Sequence, residues 1–258
     1  MMLKNFFRAK KIYEPLDYEK RKYFENNMLW LLDTFPVPTL DQRKVFLPIE
    51  QDFPFQWTSS KDDVLELLKI IAENMQIQSN DIEVDFYSEG LVELNSGMSP
   101  IFLENDPDTP GTAGLYHGKN KRGKYEVSIN SNYLDNPISI VATIAHELCH
   151  IKLLGENKVA ENDEHLTDLA TVFFGFGIFT ANASLQFRQQ IDRWSYGGGY
   201  LKYDEWAYAL ALFAFLRYED KPEWSKYLTS SIKQEFKKNL AYMVENEGEI
   251  FKFIDKTE

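Results

Sequence analysis

Two histidines and a carboxylate fall within five consecutive positions, His146-Glu147-Leu148-Cys149-His150. On a helix, side chains four residues apart project from the same side, one turn above the other, so His146 and His150 can converge on one cation. Imidazole nitrogen is a preferred ligand of Zn2+, and a carboxylate beside the bound water is placed to take its proton. The chemistry this predicts is metal-assisted hydrolysis, with His146 and His150 as zinc ligands and Glu147 as the general base. Only four histidines occur in the chain, and this segment uses two of them.

The flanking residues predict the helix that such a pair needs. Asn136 can cap a helix N-terminus, Pro137 suits its first position, and Gly155 is a natural terminator. At about 100° per residue, Thr143, His146, Glu147 and His150 share one arc, while Val141, Ile144, Ala145 and Leu148 cover much of the rest. A helix so apolar is a core helix, and two histidines and a carboxylate would be costly there unless a metal and water satisfied them.

A catalytic zinc takes a third protein ligand and keeps one position for water. Glu156 sits near the position that the third ligand takes in H-E-x-x-H-x-x-G-x-x-H sites, but Leu153 replaces the turn-forming glycine, so Glu156 reads as a solvated loop residue. Glu164 follows a polar loop containing Asn157, Asn162 and Asp163, and a helical hairpin would return it to His150. Asp168 lies one turn further along the same face and could accept the second ring N–H of a ligand histidine. His165 points about 100° away from that face. Reach favours Glu164, with His165 and Asp168 as the alternatives. A donor for the oxyanion is expected among His117, Tyr196, Tyr200 and Tyr203.

His146-Glu147-x-x-His150 followed by Glu164-x-x-x-Asp168 resembles the gluzincin class of zinc peptidases. The resemblance covers about 25 residues and the strand before the motif helix, where such peptidases commonly pair with an extended substrate. It implies Zn2+ on His146, His150 and Glu164, Glu147 as general base, and Asp168 as the residue that orients a ligand. The 13 residues between His150 and Glu164 make a shorter connection than in thermolysin-like members, so the loop must be tight. Ala113 to Gly118, Leu166 to Gly177 and Ala207 to Ala214 are also similar to a group of uncharacterised bacterial proteins carrying this motif, which implies no activity by itself.

The elements that must position these residues can be traced along the chain. A helix is expected over Tyr18 to Thr34, followed by a stretch broken by Pro36, Pro38, Pro48 and Pro54. Residues 1–58 read as an N-terminal accessory lobe or wrap, and 59–258 as a zincin-like metallohydrolase domain. Ser59 and Ser60 can cap a helix whose Val64, Leu65, Leu68, Ile71 and Met75 recur at helical spacing. Ile82, Val84 and Phe86 alternate with polar residues as in a half-buried strand. Leu94 to Thr112, rich in Pro and Gly, reads as a long loop. Ala113 to Gly118 and Lys124 to Asn130 read as a hairpin. From Pro137 the pattern is helical, over 137–154, 163–190, 203–217 and 222–245. The fold class is α+β, a small antiparallel β-sheet followed by a mainly α-helical half. The Phe/Gly run from Val172 to Phe179 reads as close helix packing, with Gly175 and Gly177 admitting a neighbour.

Composition narrows the partners. With 28 Lys and Arg against 40 Asp and Glu, the formal net charge is −12, which disfavours nucleic acid. A single cysteine, Cys149, forms no internal disulfide, and Met1 to Lys11 lacks a continuous apolar core, so the cytoplasm is the expected compartment. Leu169 to Ala183 and Ala207 to Leu216 are too short to span a bilayer and read as core helices, so no membrane partner is expected. The expected partner is a peptide or protein substrate, and the sequence does not give the oligomeric state. Two other readings stay open: a catalytically silent zinc-containing binding or regulatory module on a peptidase scaffold, and a zinc-free helical protein.

Overall fold

The computed structural model describes residues 13–88, 92–95, 100–103, 113–190 and 201–252. Met1 to Lys11, Tyr196, Tyr200 and, from the expected 94–112 loop, residues 96–99 and 104–112 lie outside them. The fold is α+β, and the described residues form seven α-helices, a three-stranded sheet and a separate two-stranded one.

Helix α1 (Tyr18–Thr34) starts at Asp17, whose side chain accepts from Lys20 N, and buries Phe24, Glu25, Met28 and Leu31. Helix α2 (Lys61–Asn74) starts at Ser60 with a capping box closed by Asp63. Its Val64, Leu67, Leu68 and Ile71 face the core, and Leu65 points outward.

The sheet differs from the expectation in one respect. Strands β1 (Ile82–Tyr87), β4 (Gly114–Lys119) and β5 (Tyr125–Asn130) pair in the order β1-β5-β4. β4 and β5 form the expected antiparallel hairpin, but β1 runs parallel to β5, from Ile82 beside Tyr125 to Tyr87 beside Asn130. The sheet is therefore mixed rather than antiparallel. β5, which buries Val127 and Ile129, takes the centre, with its hairpin partner β4 on one side and β1 on the other, running in the same direction as β5. Part of the expected long loop is also ordered, since β2 (Val92–Asn95) and β3 (Pro100–Leu103) form a separate antiparallel pair.

The helical half begins with α3 (Pro137–His150), capped by Asn136 Oδ1 accepting from Ser139 N, and continues in a π-turn over Ile151–Gly155. By length and composition Pro137–Gly155 could cross a membrane, but 83% of its apolar window is buried inside the protein, as in a core helix. The single helix expected over 163–190 is two, α4 (Glu164–Phe173) and α5 (Gly177–Gln190). They part at Gly175, whose φ is +90°. A Cβ there would lie 1.9 Å from the Lys44 carbonyl oxygen, and Phe46 N donates to Gly175 O. Gly177 likewise admits Leu210, so close packing accounts for both glycines. Helix α6 (Tyr203–Leu216) is buried almost all round. The helix expected over 222–245 is α7 (Ser230–Glu245), preceded by a separate 3-10 turn at Glu223–Tyr227.

One hydrophobic core runs through the described parts of both halves. Phe24, Met28 and Leu31 of α1 belong to it together with Ile144, Leu148, Leu169 and Phe173. Phe46 stacks on Phe176 with ring centroids 4.5 Å apart.

Candidate metal centre

α3 and α4 pack as an antiparallel hairpin, which brings the first turn of α4 beside the last turn of α3. His146 Nε2 lies 3.1 Å from His150 Nε2 and 3.1 Å from Glu164 Oε2, and His150 Nε2 lies 3.6 Å from the same Glu164 oxygen. Both histidines are buried, and a quarter of the Glu164 side chain is exposed. Zinc bound tetrahedrally at 2.0–2.1 Å holds its ligand atoms roughly 3.3 Å apart. The triangle matches that spacing, so these residues fit the ion.

The far sides of the rings say which atoms point inward. His146 Nδ1 lies 2.9 Å from Asp168 Oδ1, and the other Asp168 oxygen accepts from Leu201 N at 3.0 Å. A carboxylate that accepts on both oxygens takes the His146 Nδ1–H. His150 Nδ1 lies 3.4 Å from Thr167 Oγ1, whose own hydrogen goes to Asp163 O at 2.9 Å. That hydroxyl therefore accepts the His150 Nδ1–H. Both Nε2 lone pairs then aim at the space shared with Glu164.

Two lone pairs 3.1 Å apart repel unless a positive group sits between them. Burial acts against a charged His146, but the hydrogen bonds to Asp168 and Glu164 outweigh it and raise its pKa well above the ordinary histidine value. For Glu164, burial pushes upward, yet the two histidines hold the carboxyl well below the usual range. A proton on His146 Nε2 and a cation are thus competing occupants. The proton serves one donor at a time, whereas a cation would satisfy all three.

Glu147 stands beside the triangle and outside it. It is 5% exposed, and among the described residues no hydrogen bond reaches its carboxylate. Burial raises its pKa, and His146 and His150 pull it back only in part. Strand β4 crosses directly over it at Gly114. The Tyr116 ring of the same strand stacks on His150, with centroids 6.1 Å apart and planes 7° apart.

Of the residues singled out by spacing, His146, His150 and Glu164 come together, with Asp168 behind His146. His165 does not join them; its ring meets Tyr23 edge-on. Glu156 pairs with the buried amine of Lys152 rather than standing free in a loop. Among the expected oxyanion donors, His117 bonds to Ser128 Oγ and Tyr203 stands exposed at the start of α6. The motif helix also ends differently. Asn157, at φ 55°, is the left-handed residue, and Gly155 instead leaves room for Tyr125 and Tyr116, which a Cβ would meet at 2.6 and 2.9 Å. Spacing could have singled out Thr167, three residues after Glu164 on the same face. Nothing local marks Gly114, Tyr116 or Leu201.

Comparison with protein-family models, curated proteins and solved structures finds no match for this chain.

Proposed function

We propose that the protein is a zinc-dependent hydrolase of the peptidase type that cleaves an amide bond in a peptide or protein. The observation that carries this reading is the convergence of His146 Nε2, His150 Nε2 and Glu164 Oε2 at 3.1, 3.1 and 3.6 Å, with the buried carboxylate of Glu147 alongside. Zinc held there would act as a Lewis acid and bring the pKa of water to about 7. Glu147 accepts a proton from the attacking water and returns it to the leaving amine. Asp168 and Thr167 keep the two histidine rings turned so that their Nε2 atoms stay available.

A peptide substrate is supported by β4. It pairs with β5 on one side, and among the described residues no strand pairs with its other edge, while its face at Gly114 lies over Glu147. An extended chain added to that edge would run beside the strand that walls the site. The net charge of −12 argues against nucleic acid, and burial of the one described helix long and apolar enough to span a bilayer argues against a membrane partner; a cytoplasmic setting is part of this proposal.

The deciding experiment exposes a diverse peptide library to the protein as purified, after chelation, and after zinc is restored, and reads new termini by mass spectrometry. Cleavage should vanish on chelation, return with zinc, and be absent from Glu147→Gln, which keeps its zinc. Zinc-loaded protein that cleaves nothing would reduce the site to a silent zinc module.

A further inference from the structure

His146 and His150 are held from behind by different means. His146 rests on a carboxylate that is itself fixed by a backbone N–H of Leu201. His150 rests on a single hydroxyl, that of Thr167. A hydroxyl turns unless its hydrogen is committed elsewhere, so the orientation of His150 depends on what holds Thr167 and the first turn of α4.

That turn is anchored through Asp163, which serves four donors. Its Oδ1 caps the helix by accepting from Leu166 N at 3.1 Å. Its backbone oxygen accepts both Thr167 N and Thr167 Oγ1, each at 2.9 Å. Its Oδ2 accepts from the hydroxyl of Tyr23 at 2.8 Å. Tyr23 belongs to α1, 140 residues earlier in the chain, and α1 packs on α4. Burial and the Asp163 carboxylate both raise the Tyr23 pKa, so its hydroxyl remains a donor throughout the neutral range.

We propose that Tyr23, Asp163 and Thr167 form a positioning relay for His150, through which helix α1 of the N-terminal segment sets the geometry of the metal centre. Tyr23 fixes the Asp163 side chain and with it the first turn of α4. The Asp163 carbonyl fixes the Thr167 hydroxyl, and its oxygen holds the His150 Nδ1–H, leaving Nε2 aimed at the metal position. The neighbouring Glu164 starts from the same turn, with Oε1 held by Asn162 Nδ2 at 2.7 Å. The relay rests on the zinc reading of the site.

The test uses the full chain, zinc alone as ligand, and competition with a chromogenic chelator. Removing an outer partner of a metal-bound histidine typically costs about 10- to 100-fold in affinity. A shared hydroxyl belongs at the lower end, so Thr167→Val should weaken zinc by about tenfold, and Thr167→Ser should restore it. Tyr23→Phe, one step further away, should weaken zinc by about threefold at unchanged far-UV circular dichroism. Nitrogen-15 correlation spectra of the zinc-loaded protein should show the hydrogen of His150 on Nδ1, with a weakened Nδ1–H signature in Thr167→Val. Zinc affinity within a factor of two of the wild type in either Thr167→Val or Tyr23→Phe overturns the relay while the site stands. If His146→Ala and His150→Ala also bind zinc as the wild type does, the site itself is misassigned and the relay falls with it.

Discussion

A Cβ placed on Gly114 would stand 3.1 Å from Oε1 of Glu147 and 2.5 Å from Cγ2 of Thr143, so β4 passes over the carboxylate with no room for a side chain. Two elements far apart in the chain thereby form one wall of the site. The contact with Thr143 is a steric conflict between carbon atoms, whereas the contact with Glu147 concerns the proposed general base.

Gly114→Ala should therefore destabilise the fold by about 1–3 kcal/mol, the usual range for overpacking a tight site. Adding Thr143→Ser, which removes Cγ2, should recover at least half of that loss in urea unfolding. Peptide cleavage should stay depressed in the double variant, because the new methyl group still crowds Glu147. Full recovery of cleavage would mean that β4 and Glu147 do not act together.

The purified wild-type protein should carry close to one zinc per chain, and His146→Ala or His150→Ala should each abolish it. Elemental analysis after gel filtration measures this directly. Zinc retained at full occupancy in both variants would place the metal elsewhere.

A second buried carboxylate gives a prediction for pH. Glu25 is 1% exposed in α1 and accepts from Tyr208 Oη and Phe251 N. Burial raises its pKa, and these hydrogen bonds and Arg21 offset the rise only in part. The folded protein therefore binds this proton more tightly than the unfolded chain, whose Glu titrates at about 4.3. The stabilisation is complete below the unfolded value and is lost as pH rises through the folded one. Glu25→Gln mimics the protonated form, so its stability relative to the wild type should increase between pH 4 and 8. A difference that shrinks with rising pH would contradict the sign.

How much could be read beforehand depended on the range over which each signal acts. His146 and His150 lie one turn apart on a helix marked by Asn136-Pro137, and helix geometry alone puts their rings on one side. Glu164 and Asp168 follow the same rule on the returning helix. Wherever a position is decided by a partner distant in sequence, the local pattern misleads. The apolar periodicity of 163–190 runs unbroken through Gly175, and the break comes from the Lys44 carbonyl packed against it. The alternation of β1 gives its buried face but not its direction, because direction is a property of its pairing with β5, much later in the chain. Gly155 reads as a helix terminator, whereas Tyr116 and Tyr125 are what require a glycine there. Tyr23 carries no local mark at all, since its meaning lies in Asp163.

The N-terminal half of α4 carries Glu164, His165 and Asp168, and their surroundings give them different partners. Glu164 Oε2 is within 3.1 Å of His146 Nε2 and 3.6 Å of His150 Nε2, so it can share a cation with both. Asp168 reaches only the rear of His146, through Oδ1 at 2.9 Å, and binds Leu201 N with its other oxygen. His165 packs against Tyr23, away from the triangle. Glu164→Ala should consequently weaken zinc more than Asp168→Asn, whose cost should fall within the 10- to 100-fold typical of an outer partner. His165→Ala should leave zinc affinity unchanged within about twofold, the margin expected of a residue that neither binds the ion nor orients a ligand. Chelator competition on the three variants and the wild type, at one pH and salt concentration, ranks them. If zinc survives Glu164→Ala and disappears with His165→Ala, histidine is the third ligand and the returning helix is turned about its axis by one residue.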